Sequence, residues 1–309
     1  MLKVRAAIYL MRPHQWYKNL LFFLGPIFAL KITTMDLWPR LLIGFLVLCL
    51  CSSSNYVFND LLDMERDKFH PRKKNRPLSS GAISPMWAVA IFIIGGIVSL
   101  WVAFELGFGF FLMVLALFAT SQVYSLALGR IAFLDILTVS ADHVWRALSG
   151  CYLISVRVSP WLIVCVFLLA LLLALGKRRI ELESLSEKAV SHRDVFRTYS
   201  QKLLDQLISV VATSLLLSYS LYCFMSGTGG GLLILTLPVA TYIIFRYMYL
   251  IMQSKLLVED PYELIKDKQL LAAGIVWIIM IAMVLYLGTT YLDLLDSIVG
   301  ISTLILFAL

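Results

Sequence analysis

The most constraining feature of this sequence is a series of long apolar runs that recur between about residue 17 and residue 289. Several of these runs approach or exceed the roughly 20 residues that a helix needs to cross the hydrocarbon core of a bilayer. The composition agrees, since 61% of the 309 residues are hydrophobic and only 15% are charged. The sequence therefore predicts an all-α, polytopic membrane protein without a separate soluble domain.

We predict about nine membrane-spanning helices in a single domain that covers residues 1–309. A basic, partly amphipathic lead over residues 1–19 suits a helix at the membrane interface. The apolar tail over residues 291–309 is short, and the sequence leaves open whether it re-enters the membrane or lies along it. The predicted spans cover residues 17–31, 38–58, 85–105, 108–128, 131–153, 159–176, 203–226, 232–252 and 270–289.

Positive charge is concentrated on one side of this predicted membrane. With the N-terminus in the cytoplasm, 22 of the 26 Lys and Arg residues fall in cytoplasmic segments, against Lys31, Arg40 and Arg157 on the opposite side. Cytoplasmic loops carry an excess of Lys and Arg. We therefore expect the N-terminus and the charged motifs at the cytoplasmic face of a bacterial or archaeal plasma membrane. The net charge of +7 does not indicate a nucleic-acid partner, because the basic residues sit in short loops.

A block of charge between two apolar runs holds the strongest candidate site. Asn59, Asp60, Asp63 and Asp67 follow each other at helical spacing, and the three carboxylates fall within roughly 60° on one helix face. Such a face is typical of a site for Mg²⁺, which prefers hard oxygen ligands and commonly bridges to substrate phosphates. The alternative is a solvated loop whose charge only sets the orientation. A basic run follows the motif and is expected to hold phosphate charge: Lys68, His70, Arg72, Lys73, Lys74 and Arg76.

A second cluster follows the predicted sixth span. Lys177 and Arg178 each lie about one helical turn from Glu181, which can therefore orient either base. A basic turn at the membrane surface is a candidate phosphate site, and the alternative is a plain positive-inside anchor. Beyond it, Arg193 lies in a polar loop and is a weaker candidate for the same phosphate.

The predicted fifth span carries ionisable residues within an apolar segment. Asp135, Asp142 and Arg146 fall within roughly 40° on one helix face. Such residues usually face the bundle interior or a water-filled cavity. Asp142 and Arg146 are one turn apart and can pair, and the alternative to a site role is a structural ion pair between helices. Asp135 is the stronger site candidate because it lies near the cytoplasmic end, which Gln122 and Tyr124 of span four also approach.

Two residues near the end of the chain attract attention for their local pattern. Arg246 lies within span eight, and Asp267 is placed to cap or precede the last helix. The sequence leaves both a structural and a functional role open for them.

The acidic motif, Asn59-Asp60-x-x-Asp63-x-x-x-Asp67, resembles the first aspartate-rich motif of the UbiA superfamily of membrane prenyltransferases. The resemblance implies an all-helical bundle of nine spans with a polar cavity open to the cytoplasm. Ordinary members carry a second aspartate-rich motif near the sixth span, because they bind a prenyl diphosphate through Mg²⁺. Here the corresponding segment reads GKRRIELE and is basic.

That departure resembles one branch of the superfamily, the decaprenyl-phosphate phosphoribosyltransferases. The matching motifs cover most of the chain, and Asp142 and His143 stand where this branch is expected to have small and apolar residues. The matching motifs are Arg12-Pro13-x-Gln15-Trp16-x-Lys18-Asn19, His70-Pro71-x-Lys73-x-x-Arg76-Pro77, Tyr124-Ser125, Leu134-Asp135, Arg146-Ala147-x-x-Gly150, Gly176-Lys177-Arg178-x-x-Glu181-Leu182 and Arg246-Tyr247.

The resemblance implies a transfer of 5-phosphoribose from phosphoribosyl pyrophosphate to a polyprenyl phosphate such as decaprenyl phosphate. The acidic motif would hold the departing pyrophosphate and the ribose hydroxyls through Mg²⁺, and a homo-oligomer is compatible with the sequence. The alternatives are a prenyltransferase that uses a prenyl diphosphate donor, and a transporter or scaffold. The full set of candidate substrate-binding residues is Lys18, Asn55, Lys73, Arg76, Tyr124, Asp135, Arg146, Lys177, Arg178, Glu181 and Arg193.

Overall fold

The computed structural model describes residues 2–69, 73–157, 159–185, 194–225, 228–253 and 266–287. All regular secondary structure within these residues is helical, as the sequence predicts. The α-helices in chain order are α1 (Leu2–Met11), α2 (Leu24–Phe28), α3 (Trp38–Asp67), α4 (Pro85–Leu106), α5 (Phe108–Leu126), α6 (Leu134–Leu153), α7 (Pro160–Leu185), α8 (Gln201–Met225), α9 (Leu237–Met252) and α10 (Lys268–Ala282).

Seven of the described helical segments are long and apolar enough to cross a membrane, and they correspond to seven of the predicted spans. The polytopic membrane class is therefore confirmed. The predicted span 131–153 forms α6, which carries two aspartates, a histidine and an arginine within 20 residues. The predicted span 17–31 begins instead as a 3₁₀ helix, Pro13–Phe23, and continues into the short α2. The acidic motif lies on the last turns of the long, continuous α3.

Glycine and proline account for the sharp boundary between α4 and α5. Pro85 occupies the first turn of α4, where its missing N–H costs nothing, and Ser84 before it is extended. Gly107 has a φ of 139°, a region that side-chain-bearing residues rarely adopt, and it joins the two helices without a loop. The chain can therefore reverse directly at this glycine, as the separately predicted spans require.

One compact unit consists of Met1–Val158 and Arg193–Thr198. Within it α3 packs against α1, α4, α5 and α6. Its main apolar core includes Phe22, Leu48 and Phe110. A second cluster, with Leu10, Val57 and Leu78 among its members, lies toward the acidic end of α3. This packing fixes the helix that carries the acidic motif.

The other compact unit consists of Ser159–His192 and Tyr199–Leu309. Within it α7 packs against α8, and α9 packs against α7 and α10. Gly176 leaves room for Tyr247, whose hydroxyl lies 3.5 Å from the Leu172 carbonyl oxygen; a Cβ at position 176 would overlap that hydroxyl. This glycine therefore permits close packing directly before the basic turn. The prediction of a single domain over residues 1–309 stays a prediction.

The predicted capping by Asp267 is confirmed for α10, the last α-helix that the structure describes. The Asp267 carboxylate accepts a hydrogen bond from the Leu270 backbone N–H at 2.8 Å and two from Arg246, at 3.2 and 2.7 Å. The bond from Arg246 lowers the pKa of the Asp267 carboxyl below its ordinary value. Capping of this kind typically stabilises a helix by about 1 kcal/mol. These contacts support a structural role for the pair.

Gly150 provides a test of the packing around α6. A Cβ at this position would overlap the carbonyl oxygen of Phe22, which is backbone and cannot move aside cheaply. We expect Gly150→Ala to lower the free energy of unfolding by about 1–3 kcal/mol, measured by thermal unfolding in detergent. The matched control is Gly274→Ala, because no heavy atom lies within 4 Å of the added Cβ and alanine favours a helix. Equal effects of the two substitutions would contradict this packing.

Candidate functional site

The acidic end of α3 forms a compact charged cluster. Asp60 and Asp67 are both 2% exposed, which an unpaired carboxylate could not sustain. One nitrogen of Arg76, Nη1, lies 3.0 Å from Asp60 Oδ1 and 2.6 Å from Asp67 Oδ2. Lys73 adds a weaker contact, with its Nζ 4.0 Å from Asp67 Oδ1. Two carboxylates of the predicted motif therefore converge on a single cationic position.

Arg12 completes this cluster from a distant part of the chain. Its Nη2 lies 2.5 Å from Asp60 Oδ1, and its guanidinium stands 5.4 Å from the centre of the Tyr56 ring. The backbone of Arg12 is left-handed, with a φ of 51° between α1 and the following 3₁₀ helix. The candidate set lacked this residue, and the only sequence signal was its place in the opening motif Arg12-Pro13.

The other two motif residues form a separate pair of contacts. Asn59 Nδ2 donates to Asp63 Oδ2 at 3.2 Å, and Ser125 Oγ of α5 donates to Asn59 Oδ1 at 3.2 Å. Both motif residues are partly exposed. Asn59 therefore links the acidic face of α3 to the end of α5, where Tyr124 is also half-buried.

The donor set fits Mg²⁺ in part. Within the described residues, no group of three or more His, Cys, Asp or Glu side chains is arranged to hold a metal ion. However, Asp60 and Asp67 converge on one guanidinium nitrogen, Arg76 Nη1, which occupies the position between the two carboxylates that a metal ion would take. Mg²⁺ is usually held by one or two carboxylates together with substrate phosphates and waters. Asp60 and Asp67 would hold such an ion, and Asp63 and Asn59 lie within the same turns of α3.

The inner end of this unit holds a buried polar network. Arg146 is 5% exposed, and its Nε and Nη1 donate to Asn19 Oδ1 and to the Asp142 carbonyl oxygen, both at 2.9 Å. The Asp142 carboxylate, which the sequence allows to pair with Arg146, instead accepts hydrogen bonds from the Thr120 and Ser121 hydroxyls, at 2.5 and 2.9 Å. The carboxylate of Asp142 is thus bound by hydroxyls of α5. The Arg146 guanidinium contacts the backbone carbonyl oxygen of Asp142 instead.

Two further candidates lie in the same unit. Asp135 is fully buried near the start of α6. Lys18 donates to Gln15 Oε1 at 3.2 Å, and its ammonium stands 6.0 Å from the centre of the Tyr56 ring. The same ring also contacts Arg12, so the Arg12 and Lys18 cations lie near one aromatic ring beside the acidic cluster.

The basic turn of α7 is more buried than its sequence indicates. Arg178 and Arg179 are 5% and 8% exposed. Arg178 Nη1 donates to Glu181 Oε2 at 2.9 Å, as the spacing predicts. Arg179 binds Glu183, and its Nε lies 3.1 Å from Asp205 Oδ1 of α8. Arg179 therefore joins two helices, a structural role that the sequence analysis missed because Asp205 is distant in the chain.

Lys177 and Arg193 are the remaining basic candidates. Lys177 is half-buried on the same turn as Arg178. Arg193 lies outside the described residues. The structure therefore describes three of the four candidates in this region, namely Lys177, Arg178 and Glu181.

Comparison with known proteins identifies the family. Residues 20–256 match the model of the UbiA prenyltransferase family. The chain belongs to this family. A solved structure of a UbiA homolog from Archaeoglobus fulgidus bound to GPP and Mg²⁺ aligns with a TM-score of 0.72 and 19% identity, covering 90% of this chain and 98% of that one. This likeness shows that the chain has the UbiA fold, which confirms the predicted fold class.

Curated relatives of this UbiA family member include decaprenyl-phosphate phosphoribosyltransferases from several bacteria. The decaprenyl-phosphate phosphoribosyltransferase of Mycolicibacterium smegmatis is 28% identical over 236 residues, which cover 75% of this chain and 74% of the relative. The decaprenyl-phosphate phosphoribosyltransferase of Mycobacterium tuberculosis is 26% identical over 281 residues, which cover 89% and 92%. Together, the family and the helical spans support an integral membrane transferase.

Proposed function

We propose that this UbiA family member is a Mg²⁺-dependent phosphoribosyltransferase that acts on a polyprenyl phosphate. One observation carries the proposal: the turn after the apolar part of α7 is basic, and its Arg178 is buried against Glu181. A second diphosphate-bound cation there would be repelled by this positive charge, whereas a substrate phosphate would be attracted. Curated relatives named decaprenyl-phosphate phosphoribosyltransferase support the same activity.

The transfer exchanges one bond at the anomeric carbon of the donor. A lipid phosphate oxygen forms the new carbon–oxygen bond, and the bond to pyrophosphate breaks with both electrons leaving on the pyrophosphate oxygen. A phosphate is already anionic near neutral pH, so the attack needs no strong general base. Bound Mg²⁺ would neutralise the charge that develops on the pyrophosphate. Catalysis is then mainly positioning and electrostatic stabilisation.

The acidic cluster and the basic turn would bind different parts of the substrates. Asp60 and Asp67 would hold the metal-bound pyrophosphate, and Arg12 and Arg76 pair with these two buried carboxylates. Lys177 and Arg178 would hold a phosphate without a metal, with Glu181 orienting Arg178. We place the acidic cluster and the N-terminus on the cytoplasmic side, from the distribution of Lys and Arg.

The second candidate is a prenyltransferase that uses a prenyl diphosphate donor. It is favoured by the family model and by the fold of the Archaeoglobus fulgidus homolog, which was solved with GPP and Mg²⁺. That homolog is 19% identical, so it supports the fold rather than the donor. The two candidates differ in which donor gives up a group to the lipid.

Parallel reactions with one donor each separate the two candidates. Purified protein would receive a polyprenyl phosphate, Mg²⁺ and one labelled donor, either phosphoribosyl pyrophosphate or a prenyl diphosphate. We expect label to enter the lipid phase from phosphoribosyl pyrophosphate alone and to be lost on addition of EDTA. Label that enters lipid only from the prenyl diphosphate would replace the proposal with the second candidate.

A further inference from the structure

An amide pair between α3 and α5 has hydrogen-bonding groups left over. Gln122 Nε2 donates to Asn55 Oδ1 at 2.6 Å. The other halves of the two amides, Asn55 Nδ2 and Gln122 Oε1, are buried and have no hydrogen-bond partner. Asn55 is 7% exposed. Buried polar groups are almost always paired, so a donor and an acceptor left together require an explanation.

The surplus does not depend on how the two amides are oriented. If oxygen and nitrogen are exchanged in both side chains, Asn55 donates to Gln122 instead. One NH₂ group and one carbonyl oxygen still remain unpaired, now on the opposite residues. The pair therefore presents one donor and one acceptor in either orientation.

The position of the pair relates it to the acidic cluster. Asn55 lies four residues before Asn59 along α3, a rise of about 6 Å or just over one helical turn. At that next turn the contact between the same two helices, from Ser125 to Asn59, is satisfied, and Asn59 also binds Asp63. The unsatisfied contact is thus the one directly beyond the metal-binding turns.

We propose that Asn55 and Gln122 bind a hydroxyl of the donor sugar. This inference rests on the proposed function. A hydroxyl accepts one hydrogen bond and donates another, so a single group matches the NH₂ and the carbonyl together. In phosphoribosyl pyrophosphate the 2-hydroxyl is on the carbon next to the one that carries the pyrophosphate, and the 3-hydroxyl is one carbon further along the ring. A prenyl diphosphate has only hydrocarbon there and would leave both amide groups unpaired, so the pair selects a sugar donor.

Deoxy analogues of the donor test this inference. Wild-type protein would be compared with Gln122→Met, which keeps the volume and removes both the unpaired acceptor and the donor to Asn55, using phosphoribosyl pyrophosphate and its 2-deoxy and 3-deoxy forms. Wild-type kcat/KM should fall by about tenfold or more for at least one deoxy donor, because the amides are then left unpaired. In Gln122→Met the ratio of kcat/KM for phosphoribosyl pyrophosphate to kcat/KM for the deoxy donor should approach one. Asn55→Leu provides a second variant, and Gln206→Met, on an exposed position of α8, serves as the matched control.

The outcomes separate the inference from the proposed function. Transfer from phosphoribosyl pyrophosphate with equal kcat/KM for both deoxy donors would overturn the hydroxyl site and leave the activity standing. Unchanged discrimination in Gln122→Met and Asn55→Leu would do the same. A wild-type protein that transfers nothing from phosphoribosyl pyrophosphate would overturn both proposals.

Discussion

Asp60→Asn is expected to lower kcat for transfer by about 100-fold or more. The substitution removes a carboxylate that would hold Mg²⁺, and Mg²⁺ would neutralise the leaving pyrophosphate. Asparagine keeps the shape of the side chain and can still accept hydrogen bonds from Arg12 and Arg76. The fold should therefore survive, although two guanidinium groups lose a charged partner. The measurement is steady-state transfer of labelled phosphoribose to lipid across a Mg²⁺ titration.

The acidic neighbour Glu65 supplies the matched control. It lies on the same helical turns as Asp63 and Asp67, but its carboxylate is 70% exposed and pairs with Lys68. Glu65→Gln should leave transfer unchanged. Binding of Mn²⁺, followed directly by its magnetic resonance signal, should weaken in Asp60→Asn and Asp67→Asn and not in Glu65→Gln. Full activity of Asp60→Asn, or of the wild type in EDTA, would remove the metal from the mechanism.

Arg178→Ala is expected to raise KM for one phosphorylated substrate by about ten- to a hundredfold while leaving the Mg²⁺ requirement intact. The reason is the loss of a charge-assisted hydrogen bond, which is worth about 1.5–3 kcal/mol. Lys177→Ala should act in the same direction, and Glu181→Ala should have a smaller effect because this carboxylate orients Arg178. Separate titrations of the donor and of the polyprenyl phosphate would show which phosphate is bound.

Arg179 distinguishes binding from folding in this experiment. Its buried guanidinium joins α7 to Asp205 of α8, so Arg179→Ala should lower thermal stability and yield, with KM unchanged in the protein that folds. Near-wild-type kinetics in both Lys177→Ala and Arg178→Ala would reduce the turn to a membrane anchor. The phosphate would then bind elsewhere, with Lys73 and Arg76 as the next candidates.

Hydropathy predicted most of the fold because the bilayer imposes its own length on each helix. It predicted α4 and α5 closely, since Pro85 and Gly107 mark their boundaries. It was less informative for the segment before α3, where the structure has a 3₁₀ helix and a short α2. Packing of Gly25 and Gly150 against neighbouring backbone or side-chain atoms shapes that region, and single-sequence periodicity carries no record of such contacts.

The candidate site was predicted where its geometry is local. Asp60 and Asp67 share a helix face, and Glu181 meets Arg178 within one turn. Partners that are distant in sequence could not be predicted in the same way: Arg12 reaches Asp60 across 48 residues, and Gln122 reaches Asn55 across 67. The hydroxyls that bind Asp142 likewise come from another helix.

The identity of the group that reaches the lipid tests the central proposal most directly. Mass spectrometry of the lipid product, with the released pyrophosphate measured in the same reaction, would record both sides of the transfer. The proposal predicts that the polyprenyl phosphate gains one phosphoribosyl group, with its 5-phosphate retained, for each pyrophosphate released. A lipid acceptor that gains a prenyl group instead, or pyrophosphate release without a phosphoribosylated lipid, would contradict it.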